Sequence, residues 1–410
     1  MTSIAVMGHG VVGSGVVELL FKNHKSISLK ANDDILVKYI LDIKDFDVEY
    51  KDRFIKDFNI ILNDPDIKVV VEVMGGLNPA YNYVKSCLNA GKSVVTSNKE
   101  LVAAKGAELL KIAKEKNVNF LFEASVGGGI PIIRPLSQCL AANDITEIAG
   151  ILNGTTNFIL TKMVKDQMPF EEALKLAQKL GYAERDPSAD IDGFDANRKI
   201  CILASLAFGR HVYPEQVSTE GIRNISLIDF EYAASCECVI KLIARAKRLA
   251  SGKVVAAVHP ALVNKDSQLY SVDDVFNAIL VRGDAIGDVV FYGRGAGKMP
   301  TASAVVADVI DCIKHLSSRK YLFWEDGSED YVSDSLSDES RLFVRANTKD
   351  KATAVNSLKA HFENVYMLSR ESEGKNELAF ITPKASEKNL RETLNKIKEI
   401  DIQSIIHVLD

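Results

Sequence analysis

The sequence has no apolar run approaching the roughly 20 residues that cross a bilayer, so nothing in it reads as a transmembrane helix. Nor does it open with a basic, apolar leader. MTSIAVMGHG passes straight into strand-like residues, which predicts no signal peptide. Its six cysteines (Cys87, Cys139, Cys201, Cys236, Cys238, Cys312) form no C-x-x-C pair and mostly sit in apolar or helical patterns, where a thiol behaves as a small hydrophobe. That usage suits a reducing cytosol rather than a disulfide scaffold. Cys236 and Cys238 lie in a segment that reads as helix, face different ways and make a poor metal clip. An excess of one charge is also missing. Lys+Arg number 50 and Asp+Glu 55, well mixed, for a net charge of −5, which leaves no basic footprint for nucleic acid. What the chain does have is length and apolar content, 410 residues at 47% hydrophobic, enough for two or three cored domains.

Residues 3–8, SIAVMG, predict a short buried strand. Gly8-His9-Gly10-Val11-Val12-Gly13 follows, then an apolar helix to about Lys22. G-x-G-x-x-G between strand and helix is the context of dinucleotide binding. The first glycine allows the tight turn and the second lets a pyrophosphate approach the backbone. The third allows close helix–strand packing, and the helix N-terminus offers amides to the phosphates. His9 reads as incidental to the turn. A second strand over 35–41 ends at Asp42, a place where a carboxylate bonds ribose hydroxyls and repels a 2′-phosphate. A polar loop over 23–34 lengthens the interval and Lys44 stands nearby; the balance favours NAD over NADP. Strands at 69–74, 93–96 and 119–123 alternate with helices at 79–90 and 100–116, which predicts a doubly wound parallel sheet with ligands beyond the carboxyl ends of its strands. Lys99 opens a helix at one such end, against the helix dipole, which points to a purpose other than helix stability. Glu123-Ala124-Ser125-Val126-Gly127-Gly128-Gly129-Ile130-Pro131 leaves the last strand. Its glycines read as a hinge between domains, and its carbonyls with one carboxylate are oxygen donors of the kind a hard cation takes.

The stretch from Ala177 to Lys199, AQKLGYAERDPSADIDGFDANRK, sets five carboxylates (Glu184, Asp186, Asp190, Asp192, Asp195) beside one functional-looking lysine and runs into the apolar helix ICILASLAFG. Asp195 and Lys199 stand four apart, so a helix puts them on one face. One reading is a surface ion pair over a solvated acidic loop. The other is a pocket that binds an ammonium with carboxylates and keeps a lysine for proton transfer, since buried charge needs compensation. Around it, 145–152 predicts a strand of a second domain and Asn153-Gly154-Thr155-Thr156-Asn157 a turn into a helix with hydroxyl caps. Helices are expected at 170–180 and 229–250, and strands of a mixed sheet at 253–263, 277–285 and 288–293. Arg294-Gly295-Ala296-Gly297 is a second glycine-rich turn before a helix over 301–316, which is expected to return to the first domain near the cofactor. Residues 319–339 are polar and read as a solvated linker. The remainder, 340–410, has the βαββαβ order of a ferredoxin-like module.

These residues resemble the homoserine dehydrogenase family over nearly the whole chain. Ala177, Gly181, Tyr182, Asp186-Pro187, Asp190-Ile191, Gly193, Asp195 and Lys199 fall at the intervals of the family's long signature, and GILNGTTNFIL at 150–160 and GRGAGKMPTASAVVADV at 293–309 are similar to family segments. The C-terminal part resembles an ACT regulatory domain. The resemblance implies a Rossmann-type α/β nucleotide domain (1–130 with 300–318), an α+β substrate and dimerisation domain (131–299), a linker (319–339) and an ACT-like domain (340–410). It implies the reversible NAD(P)-dependent interconversion of L-homoserine and L-aspartate 4-semialdehyde, on the path to threonine, methionine and isoleucine. It also implies a cytoplasmic homodimer, or a tetramer assembled through the ACT domain, with L-threonine as an effector.

The family's site residues carry over as follows. Lys199 and Lys99 are the catalytic lysines, with Asp195 beside Lys199; Lys199 is the preferred proton donor, and Lys99 holds the oxygen and orients the nicotinamide side. Substrate contacts fall on Glu184, which pairs with the ammonium, and on Asp190, Asp195, Tyr182, Gly154 and Thr155. Cofactor contacts fall on Gly8, Gly10, Val11, Val12, Gly13, Asp42, Lys99, Gly181, Gly295 and Gly297. A Na⁺ or K⁺ site maps onto Glu123, Val126, Gly128 and Ile130. Two departures matter. NADP-preferring relatives commonly carry Arg just before the Asp of the second strand, where this chain has Leu41-Asp42, which again favours NAD. Amino-acid-binding ACT domains usually carry D-x-P-G after their first strand; Asn347-Thr348-Lys349-Asp350-Lys351-Ala352 lacks it, which favours a role in assembly over threonine control. Two rivals are a different dehydrogenase on this scaffold and a sensor that binds cofactor without turnover. An acylating aldehyde dehydrogenase needs a cysteine nucleophile, and no cysteine sits in a glycine-rich loop near the fifth strand.

Overall fold

Mostly buried runs rich in valine and isoleucine build the first sheet. Its strands are β1 (Thr2–Met7), β2 (Ile35–Leu41), β3 (Phe54–Ile55), β4 (Ile67–Glu72), β5 (Ser93–Thr96) and β6 (Phe120–Leu121). All pair in parallel, in the order β3-β2-β1-β4-β5-β6. Continuous apolar strands such as IKVVVE are what a sheet covered on both faces requires. The intervening helices are α1 (Val11–Lys22), α2 (His24–Ala31), α3 (Phe58–Asn63), α4 (Ala80–Asn89) and α5 (Lys99–Glu115). The structure, a computed structural model, describes residues 1–318, 322–328 and 330–409. It divides into two compact units. One is Met1–Ile145 with Cys201–Pro214 and Phe291–Ser328; the other is Thr146–Ile200 with Glu215–Val290 and Glu329–Asp410.

The parallel sheet expected from the sequence is present, with two local differences. The segment read as a polar loop over 23–34 is largely α2, because Ile27 and Ala31, four apart, give it one buried stripe. The short β3 and α3 carry too few residues to show a period.

The second unit begins with β7 (Ile145–Ile151), α6 (Gly154–Lys165), α7 (Phe170–Lys179) and α8 (Ser188–Ile191). Next come α9 (Phe194–Phe208), β8 (Ser218–Thr219), α10 (Leu227–Ser235), β9 (Cys238–Arg248), β10 (Val254–Asn264), β11 (Phe276–Gly283) and β12 (Gly287–Arg294). The long helix expected over 229–250 is a correction: it ends at Ser235, Glu237 takes a left-handed φ of 56°, and CVIKLIARAKR continues as β9. β9 pairs antiparallel with β10 from Cys238↔Asn264 to Arg248↔Val254. Alternating branched and charged residues carry a period of two that the preceding helix obscures. Cys236 and Cys238 are therefore not on one helix: Cys236 caps α10 and Cys238 opens β9.

In the first unit, α11 (Lys298–Lys314) lies against α1, close enough that a Cβ on Gly15 would stand 3.0 Å from that of Ala302. Residues 319–321 and 329 of the expected linker lie outside the described residues. The rest is not a solvated tether. Trp324 is 1% exposed, donates Nε1–H to His211 Nδ1 at 2.8 Å, and meets Phe122 edge-on. Leu322 and Tyr331 are buried too; three apolar side chains among charged neighbours anchor a segment whose average composition looks solvated.

The C-terminal stretch forms β13 (Glu339–Asn347), α12 (Lys351–His361), β14 (Tyr366–Leu368), β15 (Glu377–Ile381), β16 (Ala385–Ser386), α13 (Glu387–Leu394) and β17 (Asp401–Leu409). Leu342, Val344, Leu358, Phe380, Leu390 and Leu394 share its core. The second unit's sheet runs β12-β11-β7-β9-β10-β17-β13-β15-β14, with β8 and β16 paired at its sides. β17 joins β10 in parallel, Ala261 facing His407.

Candidate active site

In the first unit the glycine turn closes on itself. Gly8 has a φ of 99°, and a Cβ on Gly13 would stand 2.0 Å from the Gly8 carbonyl oxygen, so α1 can approach β1 only with glycine there. Gly10, just before Val11 and Val12, is different: a Cβ there meets nothing within 4 Å. The turn thus leaves open space beside the first amides of α1, the arrangement that accepts a pyrophosphate. Asp42, at the end of β2, accepts the His9 amide at 2.7 Å through Oδ2 and the Lys44 amide at 2.9 Å through Oδ1. His9 is buried among Phe46, Tyr50 and Phe54, and burial lowers its pKa against the pull of Asp42.

The Lys99 position is fixed by a relay that sequence reasoning missed. Glu72, fully buried at the end of β4, accepts the Thr96 hydroxyl at 2.6 Å and the Met74 amide at 2.8 Å. Burial pushes its carboxyl above the usual range while those donors pull it back. Thr96 Oγ1 accepts the Asn98 amide, and Asn98 caps α5 by accepting the Leu101 amide at 3.1 Å. Its Nδ2 donates to the Gly76 carbonyl at 2.7 Å. Lys99, half-buried, is the first residue of α5. A glutamate closing a valine run was the one sequence signal available.

The glycine-rich turns at 127–129 and 294–297 abut within this unit. A Cβ on Gly128 would lie 2.3 Å from the Gly295 carbonyl oxygen, and one on Gly129 2.7 Å from the Pro300 Cβ. Close backbone packing thus accounts for glycines that the sequence reading gave to a hinge. Gly297 precedes α11 with a φ of 124°. Glu123 does not present an open carboxylate. Its Oε1 accepts the Ile132 and Ile133 amides at 2.6 and 2.8 Å, its Oε2 accepts the Arg134 amide at 2.9 Å, and Arg134 Nε stands 3.5 Å from Oε2. Three amides and a guanidinium already balance this charge, so the set with Val126, Gly128 and Ile130 does not fit a cation through its side chain. Among the described residues, no group of three or more His, Cys, Asp or Glu is placed to hold a metal ion.

The second unit gathers the acidic stretch. Asn153 caps α6, its Oδ1 accepting the Thr156 amide at 2.8 Å. Its Nδ2 donates to Asp190 Oδ1 at 2.7 Å and to Asp195 Oδ2 at 2.9 Å. Lys199 Nζ lies 2.7 Å from Asp195 Oδ2 and 2.7 Å from the Leu152 carbonyl oxygen, with both side chains over nine-tenths buried. The surface ion pair is therefore excluded; this is a buried pair with its own hydrogen bonds. The cap that was expected from a hydroxyl is the Asn153 amide. Asn153 itself was read only as a turn residue, because its bridge to two carboxylates about 40 positions on exists only in the fold. Thr155 Oγ1 donates to the Tyr182 carbonyl at 2.7 Å, and the half-exposed Tyr182 ring meets Phe158 edge-on. A Cβ on Gly154 would press on the Val275 carbonyl at 2.8 Å, and Gly181 has a φ of 76° beside open space. Glu184 is exposed, its backbone carbonyl held by Gln178 Nε2. Asp192 is drawn off to Arg223, and the Ser188 hydroxyl lowers the pKa of Asp186. Asp190, Asp195 and Lys199 are thus brought together; Asp186 and Asp192 are not part of the cluster.

Comparison with known proteins points to one family. Residues 8–123 match the family model described as "Homoserine dehydrogenase, NAD binding domain", and residues 131–310 the one described as "Homoserine dehydrogenase". The homoserine dehydrogenase of Synechocystis is 46% identical over 329 residues, 77% of this chain and 74% of that protein. That of Bacillus subtilis is 37% identical over 97% of this chain and 95% of its own length. The crystal structure of a homoserine dehydrogenase from Thiobacillus denitrificans superposes with a TM-score of 0.87 at 32% identity, covering 100% of this chain and 98% of that one. A hyperthermophilic archaeal homoserine dehydrogenase in complex with NADPH covers 76% of this chain at a TM-score of 0.65 and 29% identity. The chain belongs to the homoserine dehydrogenase family, whose members are NAD(P)-dependent oxidoreductases.

Proposed function

We propose that the Asn153–Asp195–Lys199 cluster is the acid–base centre for the interconversion of L-aspartate 4-semialdehyde and L-homoserine. The observation that carries this reading is the buried Lys199 ammonium, held between Asp195 Oδ2 and the Leu152 carbonyl at 2.7 Å each. The nicotinamide cofactor, when bound, supplies or takes the hydride at the substrate's carbonyl carbon. In reduction, Lys199 gives a proton to the oxygen as negative charge builds on it, and in oxidation it takes that proton back. Asp195, itself held by Asn153 Nδ2, holds Lys199, and Asp190 and Asp195 orient the substrate hydroxyl. Glu184 pairs with the substrate ammonium, while Thr155, Gly154 and Tyr182 shape the pocket. Lys99 is the second lysine, set to hold the reacting oxygen and the nicotinamide side.

The residues that would hold the cofactor are Gly8, Gly10, Val11, Val12 and Gly13 at the pyrophosphate and Asp42 at the ribose, with Lys99 on the nicotinamide side and Gly181, Gly295 and Gly297 as further cofactor contacts. The open face of Gly10 supports this assignment. Leu41-Asp42 in place of Arg-Asp supports NAD over NADP, although the archaeal relative was solved with NADPH. No step here passes through a monovalent cation. The C-terminal module is of the ACT type, a reading that rests on its βαββαβ order and on the sheet order β17-β13-β15-β14. Its role is assembly, joining homodimers formed through residues 131–299 into a tetramer in the cytoplasm, rather than threonine control. The test is the absorbance of reduced cofactor formed from L-homoserine, with NAD⁺ and NADP⁺ in parallel, with and without L-threonine. The reading expects faster turnover with NAD⁺ and indifference to threonine. Preference for NADP⁺ overturns the Asp42 assignment, and inhibition by threonine overturns the assembly role.

A further inference from the structure

A cavity of about 120 Å³ lies in the second unit where β17 and the start of β13 meet β9 and β10, roofed by α13. Arg245 and Lys247 of β9 and Arg391 of α13 reach it. The carboxylates beside them are already shared out. Asp338 stands 3.3 Å from Arg245 Nη1 and 3.4 Å from Lys247 Nζ, both long. Glu387 takes Arg391 Nε at 2.7 Å and His407 Nε2 at 3.0 Å. Two buried polar atoms on the lining have no protein partner, Ser340 Oγ and His407 Nδ1. The His407 ring stacks on His259, centroids 3.6 Å apart and planes within 20°.

We propose that this cavity binds a small oxyanion, of phosphate or carboxylate chemistry. Ser340 offers a hydroxyl donor, and Lys247 is held loosely enough to turn towards an anion. His407 Nε2 is committed as donor to Glu387, so Nδ1 is the ring atom left to meet a ligand. His259 stays neutral, because burial and the neighbouring His407 lower its pKa. Three carboxylates on the lining oppose an anion: Asp338 and Glu387 are held by the ion pairs above, and burial pushes the Glu220 carboxyl up, which softens its opposition. The site ties strands on both sides of the β10–β17 junction, so an anion bound there stabilises that junction.

The test is isothermal titration of the full chain, saturated with NAD⁺ to occupy the dinucleotide site, with inorganic phosphate and with acetate. The expected result is saturable binding of at least one probe at millimolar concentration or below. The tighter of the two probes identifies phosphate or carboxylate as the class. Lys247→Met and Ser340→Ala should each weaken binding about tenfold, the effect of losing one charge-assisted hydrogen bond. No binding at millimolar concentration, or binding with unchanged affinity in these variants, overturns the proposal.

Discussion

The turn from Gly8 to Gly13 and the cluster around Lys199 use side chains in opposite ways. In the turn the geometry depends on atoms that are absent: the Gly13 position has no room for a Cβ beside the Gly8 carbonyl, and Gly10 faces open space. In the cluster it depends on side chains that hold one another, Asn153 across Asp190 and Asp195, and Asp195 on Lys199. The first is a backbone site, where the penalty for change is steric. The second is a compensated set of buried polar groups, where removing one member leaves others desolvated and unpaired. The difference teaches which substitutions report on folding and which on chemistry.

The contrast can be broken or sharpened by substitution. Gly13→Ala should have the largest effect on stability, ~3 kcal/mol or more, because backbone must shift to relieve the contact. Denaturant unfolding within about 0.5 kcal/mol of the parent would show that the turn is not packed as described. Asn153→Ala should come next. It removes a helix cap and a bridge between carboxylates, at a cost of ~1–3 kcal/mol. Turnover of L-homoserine should fall about 10- to 100-fold with it, within the range of a lost positioning and hydrogen-bonding group. Gly10→Ala should leave stability within about 0.5 kcal/mol yet raise the cofactor KM about tenfold, since the new methyl group enters only the space left for the pyrophosphate. Equal losses of stability at Gly10 and Gly13 would erase the distinction. The smallest effect is expected from thiol labelling. Burial pushes the Cys87 thiol up to about 12, so iodoacetamide near pH 8 should modify the exposed Cys139 and leave Cys87 untouched in the folded chain. Modification of both at one rate would contradict the packing of α4.

The backbone site was the legible one. G-x-G-x-x-G, the strand before it and the alternation after it are local signals, and the parallel sheet follows from them. The cluster was legible in part. Asp195 and Lys199 are four apart and their shared helix face could be counted, whereas the Asn153 bridge spans 37 and 42 positions. The same limit explains Glu123. Its carbonyl-rich surroundings were visible, but the three amides that turn its carboxylate inward come from residues 132–134 folding back. β9 was lost for another reason: α10 runs almost directly into it, and a continuous apolar pattern hid the change of period at Glu237.

The central claim is that the buried Lys199 moves the proton. The most direct measurement is the rate of reduced-cofactor formation from L-homoserine by Lys199→Met, alongside circular dichroism and unfolding of the same sample. The account predicts a folded protein whose kcat falls about 10²- to 10⁴-fold, the contribution of a general acid–base group. A folded variant that loses less than about tenfold would contradict it and move the proton transfer away from Lys199.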